Sequence, residues 1–193
     1  MKISFRITAM ILPLFLALFS CGKNMEIINE FIDAETEPDV VVENMVMFYS
    51  DSARLQSKLV APLVIQFNTE KEQRREFPKG LHVWLYETTG ELKAEITANR
   101  ATHDMEANLW EASSNVVLIN SDGQKLETEQ LFWDPKKGIV YSEKYTKITN
   151  KNGTVASGES FTSNQDFKNA QLFRGKATIV MEDDDETEPE NEP

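Results

Sequence analysis

Two histidines and one cysteine are the side chains of this 193-residue sequence best suited to nucleophilic or metal chemistry, and their spacing supports neither. His82 stands inside the alternation Leu81-His82-Val83-Trp84-Leu85-Tyr86 and reads as a polar-face residue of a strand. His103 is followed by Asp104, but no second His or Cys lies at ligand spacing, so no metal is expected. The chain has no Gly-rich phosphate loop, no Gly-x-Ser-x-Gly elbow and no His-Glu-x-x-His. Carboxylates are plentiful, yet none stands in an apolar context that would raise its pKa toward that of a general acid. No catalytic residue and no cofactor is expected.

The cysteine has a different use. Met1 to Arg6 is short and basic, and Ile7 to Phe19 is an apolar run of 13 residues interrupted by Thr8 and Pro13. A spanning helix needs about 20 such residues, so residues 1–20 read as a signal peptide. The run ends Leu18-Phe19-Ser20-Cys21, which resembles the lipobox of bacterial lipoproteins. Cys21 then becomes the lipidated mature N-terminus, and the mature protein is tethered to a membrane by its acyl chains. With its one cysteine acylated, the body has no internal disulfide and depends on its core.

The charge agrees with a tethered body. The net charge is −12, but residues 182–193 carry eight acids and no base, and residues 21–43 carry seven acids against Lys23. Residues 44–181 hold 17 bases and 17 acids. A nucleic-acid binder needs an extended basic face, so nucleic acid is excluded as a partner. Residues 21–39 read as an acidic tether, in which Met25, Ile28, Phe31 and Ile32 fall at helical spacing but make a helix too short to be stable alone. Residues 182–193 read as a disordered tail, since they bury nothing against their ordering entropy.

Residues 40–181 are the folded body. Their apolar period is two, and no segment sustains a helical stripe. Turns at Ser52-Ala53, Thr89-Gly90, Asp122-Gly123 and Asn152-Gly153 each launch an aliphatic strand start, at Leu55, Leu92, Leu126 and Val155. These lie 37, 34 and 29 residues apart, a repeat of hairpin pairs. The fold class is therefore all-β, a winding of successive hairpins and not a Greek-key sandwich with one long crossover. Three Trp and seven Phe fall between Phe48 and Phe173. A folded-over sheet turning these inward has an interior that is either packed solid or open to acyl chains.

Four segments carry a resemblance: Phe77-Pro78-Lys79-Gly80-Leu81; Asn108-Leu109-Trp110-Glu111-Ala112 leading to Asn115-Val116-Val117; Leu126-Glu127-Thr128-Glu129-Gln130-Leu131-Phe132-Trp133-Asp134; and Gly158-Glu159-Ser160-Phe161-Thr162-Ser163-Asn164. Together they resemble the LptC family of lipopolysaccharide-export proteins over about residues 40–178. The resemblance implies a twisted, V-shaped, open β-jellyroll of the OstA/LptA type whose interior carries lipid A acyl chains. It also implies a position on the periplasmic side of the inner membrane, between the lipopolysaccharide ABC transporter and LptA. The lipobox departs from the best-known members, which keep an uncleaved transmembrane helix that regulates the transporter. Gly22 is not the Asp that marks inner-membrane retention in some bacteria.

The reading is a non-enzymatic conduit that accepts lipopolysaccharide from the transporter and passes it to an LptA-like protein. Its rivals are a lipid-anchored adaptor with a packed core and a carboxylate hydrolase acting on envelope glycan. Period alone does not assign the inner face; the provisional lipid wall is Leu81, Val83, Leu85, Val117, Ile119, Phe132, Ile139 and Tyr141. The stretch from Glu127 to Leu131 breaks the alternation and calls for a bulge. A winding that does not close leaves two edges: a first strand of about residues 40–49, with Val42, Val46 and Phe48, and a last strand of about residues 171–180, with Leu172, Phe173 and Ile179. Strand addition at these edges is the expected mode of partner binding, the transporter at the first and LptA at the last.

Overall fold

The computed structural model describes residues 37–69, 73–167 and 169–178. The expected signal peptide, Cys21, the stretch from Met25 to Ile32, Ile179 and residues 182–193 lie outside the described residues. No helix among the described residues is long and apolar enough to cross a membrane.

The described strands are β1 (Val40–Asp51), β2 (Arg54–Asn68), β3 (Gln73–Phe77), β4 (Leu81–Tyr86), β5 (Leu92–Ala98), β6 (Arg100–Asp104), β7 (Leu109–Asn120), β8 (Lys125–Asp134), β9 (Ile139–Ser142), β10 (Thr146–Thr149), β11 (Val155–Gly158), β12 (Ser160–Asn164), β13 (Gln171–Phe173) and β14 (Lys176–Thr178). All pair antiparallel in one sheet. The pairings resolve into a meander of bent runs, each crossing from one arm of a folded sheet to the other. One arm holds β4, β5, β10, β11 and β14; the other holds β3, β6, β9, β12 and β13. The long strands β2, β7 and β8 pass through both, because each pairs with members of both arms. This is the expected all-β winding of successive hairpins, a twisted β-jellyroll. The turns at Ser52-Ala53, Gly90, Gly123 and Gly153 join consecutive runs at one end, so the repeat visible in the sequence is one up-and-down pair of runs.

The bends have local causes. Pro62 lacks an N–H, and it falls where pairing of β2 with β4 has ended at Val60 and pairing with β3 begins at Ile65. The inward phase of β2 shifts there, from Leu59 and Ala61 to Val64. In β7 the backbone takes left-handed angles at Ser114 (φ 62°) and Asn115 (φ 54°), and these two residues face Glu129 alone. The bulge expected on β8 is thus on its partner; β8 keeps an unbroken chain but shifts phase from Leu126 and Thr128 to Leu131. Gly80 (φ 81°) turns β3 into β4 so closely that an added Cβ would stand 2.4 Å from the Ala98 carbonyl oxygen. The run that begins with β9 breaks after Ser142 and resumes as β10 at Thr146. Buried hydroxyls at the break satisfy the backbone: the Lys144 N–H donates to Ser142 Oγ (3.1 Å) and Thr146 Oγ1 donates to the Lys144 carbonyl (3.0 Å).

Two apolar clusters lie between the arms. One unites Leu59, Ala61, Val64, Phe77, Leu81 and Ala101. The other unites Ala98, Val116, Leu118, Leu126, Leu131, Val140, Ile148 and Phe161, with Leu172 and Phe167 against it. Among the described residues β1 pairs only with β2, β13 only with β12 and β14 only with β11, so the meander ends in two edges. The last edge is two short strands, not one: Arg174 (φ 49°) and Gly175 bend it as its neighbours are bent.

Candidate functional site

Strict alternation along β4 decides the inner wall. Leu81, Val83 and Leu85 point between the arms, and His82 and Trp84 point out, where they stack at 3.6 Å. Outside, His82 pairs with Glu95, and the Lys58 ammonium lies 4.8 Å from the Trp84 ring. These contacts keep Trp84 on the surface side. Its neighbour β5 presents Ile96 inward, opposite Val83.

Facing them, Trp110 of β7 and Trp133 of β8 are direct cross-strand partners with ring centroids 6.4 Å apart. Trp110 also stacks on Phe77 (5.9 Å) and on His103 (4.0 Å, planes 10° apart). His103 donates from Nε2 to Asn108 Oδ1 (3.1 Å), leaving Nδ1 buried with no partner. Burial, and then the positive charge of Arg75, hold its pKa below the ordinary histidine value, so the ring is a neutral aromatic plate behind Trp110.

Between these walls runs an apolar groove of about 390 Å³. It runs from Met47, Tyr49 and Gln56 beside the β1–β2 hairpin to Val140 and Phe167. Small side chains leave the space: Ala101 and Ala112 are paired across β6 and β7 directly beneath it. The volume is within the range of small-molecule sites, and the lining is mostly apolar, which suits a hydrocarbon chain.

Of the eight provisional wall residues, the groove takes Leu81, Val83 and Leu85. Val117 and Ile119 are a correction. They lie on the outer face, Ile119 being 42% exposed, and Val116 and Leu118 occupy the core instead. The run Val116-Val117-Leu118-Ile119 is apolar on both parities, and the Ser114–Asn115 bulge, not the period, chooses the face. Phe132, Ile139 and Tyr141 are likewise outside: Phe132 stacks on Tyr141 at 4.9 Å, and Leu131 and Val140 face inward. Ile139 and Tyr141 line a second, outer groove of about 470 Å³ that ends at Phe173 on the last edge. Trp110, Trp133, Ile96 and Phe167 are groove residues that period-two counting does not find; cross-strand pairing places the first three and the turn after β12 places Phe167.

Of the edge residues, Val46 and Phe48 are exposed on β1 and Phe173 on β13, whereas Val42 and Leu172 turn inward against the two clusters.

The whole described body falls within one family. Residues 9–180 match the family model described as lipopolysaccharide-assembly, LptC-related. No curated protein sequence matches the chain. A twisted sheet of successive hairpins, an apolar groove between its arms and a family match over most of the length agree: the chain belongs to the LptC family, proteins of lipopolysaccharide transport in the cell envelope.

Proposed function

We propose that this protein is a lipid conduit: the groove between the arms takes an acyl chain of lipopolysaccharide from the inner-membrane ABC transporter, and the jellyroll passes it to an LptA-like periplasmic protein. The observation that carries the reading is the open apolar groove lined by Leu81, Val83, Trp110 and Trp133 beside a buried apolar cluster. Acyl surface leaving water gains about 25 cal/mol per Å², so a continuous apolar wall holds the chain without any binding motif. Transport energy comes from elsewhere.

Cys21 holds the body at the periplasmic face of the inner membrane through its lipid. The first edge follows this tether, so β1, with Val46 and Phe48, adds to the transporter's β domain. The last edge, β13 and β14 with Phe173, adds to LptA. Open edges support strand addition because each presents a row of backbone groups with no neighbouring strand among the described residues.

Photo-crosslinking residues placed along β4 test the conduit. Lipopolysaccharide is captured at positions 81, 83 and 85 and much less at 82 and 84, and captured at 116 or 118 less than at 83, since the second cluster is filled. Equal capture on both parities of β4 refutes the groove as the lipid path.

A further inference from the structure

Among the described residues, Lys93 is the one cation that lines the groove. It stands on β5 at the rim, with Nζ paired to Asp166 Oδ1 and 4.0 Å from Glu87 Oε1. Glu87 is on the same hairpin. Asp166 is not: it belongs to the turn after β12, on the opposite arm, 73 residues away in sequence. The ion pair therefore spans the opening between the arms.

The next residue strengthens the case. Phe167 has a φ of 56°, a left-handed angle that a bulky aromatic residue rarely takes. Its N–H donates to the Asn164 carbonyl (3.0 Å), and the Gln165 N–H donates to the Gly138 carbonyl (3.0 Å), which fastens the turn to the β8–β9 turn. The ring packs against the second cluster and lines the groove. One strained turn thus sets a carboxylate on the groove's cation and a phenyl ring in its apolar channel.

We propose that Lys93 is the binding site for the anionic headgroup of the lipid whose chain occupies the groove, and that Asp166 and Phe167 fill the two halves of that site when it is empty. The ligand is an amphiphile with a compact anion, such as a phosphate monoester, next to an acyl chain. On entry the anion replaces Asp166 at Lys93 and the chain replaces the Phe167 ring, which frees the turn from its left-handed angle. The pairing of acid with cation and ring with channel makes displacement cooperative: a neutral chain or a bare anion displaces only half. The inference rests on the conduit reading and adds the headgroup class to it.

The test uses the full chain and two probes with the same acyl chain, lysophosphatidic acid and monoacylglycerol, with inorganic phosphate as the bare anion. Binding is followed by the fluorescence of Trp110 and Trp133. Asp166→Asn raises the preference for the phosphate lipid about two- to fivefold, the scale of a half-exposed ion pair. Lys93→Met abolishes the preference and keeps binding of the neutral lipid; Lys93→Arg restores it. Phe167→Ala tightens both lipids and leaves their ratio unchanged. Inorganic phosphate, which reaches Lys93 alone, gives no fluorescence change, competes weakly with the phosphate lipid and does not compete with the neutral one; competition with both lipids alike overturns the headgroup site. A ratio unmoved by Asp166→Asn and Lys93→Met, in chains whose melting temperature is unchanged, overturns the headgroup site while leaving the conduit standing. Weaker binding of both lipids to Phe167→Ala overturns the displaced ring. Failure of both probes to bind any variant overturns the conduit and this site together.

Discussion

The volume of the groove sets a length for its cargo. An apolar protein cavity of about 150 Å³ holds one benzene, and in proportion the 390 Å³ groove holds a single chain of about fifteen carbons. Each methylene moved from water to an apolar wall contributes up to about 0.8 kcal/mol, a factor of about four in Kd. In a series of monoacylglycerols lengthened two carbons at a time, affinity should rise about tenfold or more per step and then stop rising near the length the groove accommodates. Isothermal titration calorimetry measures this directly, and a heat-capacity change that grows more negative along the same steps identifies apolar burial as the cause. Narrowing the space with Ala112→Leu, beneath Trp110 and Trp133, should bring the plateau to a shorter chain. Two results refute the reasoning: affinity independent of chain length, which an adaptor with a packed core gives, or affinity still rising well beyond the plateau, which a flat surface or a continuous trough gives.

Gly80→Ala and Gly138→Ala both force a left-handed angle on alanine, about 1–2 kcal/mol, but an added Cβ meets a backbone oxygen only at position 80, and at 138 it meets nothing within 4 Å. Urea unfolding should find Gly80→Ala less stable than Gly138→Ala by a further 1–3 kcal/mol or so; equal losses refute the close packing of the β3–β4 bend. His103 has a lowered folded pKa, so as pH falls through about 6.5 the unfolded chain takes up the proton first and stability declines over the window just below that pH. His103→Gln should flatten thermal stability over that window, and an unchanged slope refutes the neutral plate; Asp134 and Glu127, held low by Lys137 and by Lys125 with Lys147, lose their contribution only at lower pH. A chain shortened by residues 171–193 should lose LptA in pull-down and keep the transporter, while one shortened by residues 182–193 keeps both. Retention of LptA by the longer deletion, in a chain that still melts cooperatively, refutes the edge assignment.

What could be read from the sequence was whatever local chemistry decides. Gly90, Gly123 and Gly153 mark turns because their φ angles of 90°, 78° and 84° suit glycine, and these turns give the period of the meander. The face of β4 was legible because its alternation pairs aliphatic residues with His82 and Trp84. Where apolar residues run consecutively, as at Val116 to Ile119 or Leu131 to Trp133, period two has no preference, and register is set by a partner strand. The bulge that sets it is two polar residues on β7 whose effect appears on β8. The Lys93–Asp166 pair was not legible at all, since only the fold brings the β4–β5 hairpin to the turn after β12.

An apolar space kept open is not free: a lining that loses its contacts on one side forfeits dispersion energy, and residual cavity destabilises by about 24 cal/mol per Å³ where the site cannot collapse. The groove must therefore be held open by parts that are stable without it. The second cluster supplies such a part, since Val116, Leu118, Leu126, Ile148 and Phe161 fill the interior beneath β10, β11 and β12. Because β7 and β8 run through both arms, the same strands carry Val116 and Leu126 in the filled half and Trp110 and Trp133 in the open half. Their ladder transmits the rigidity of one half to the other. An apolar chain that enters the groove then restores the missing contacts and is released at little conformational cost, which is the energetic profile a conduit needs and a storage site does not.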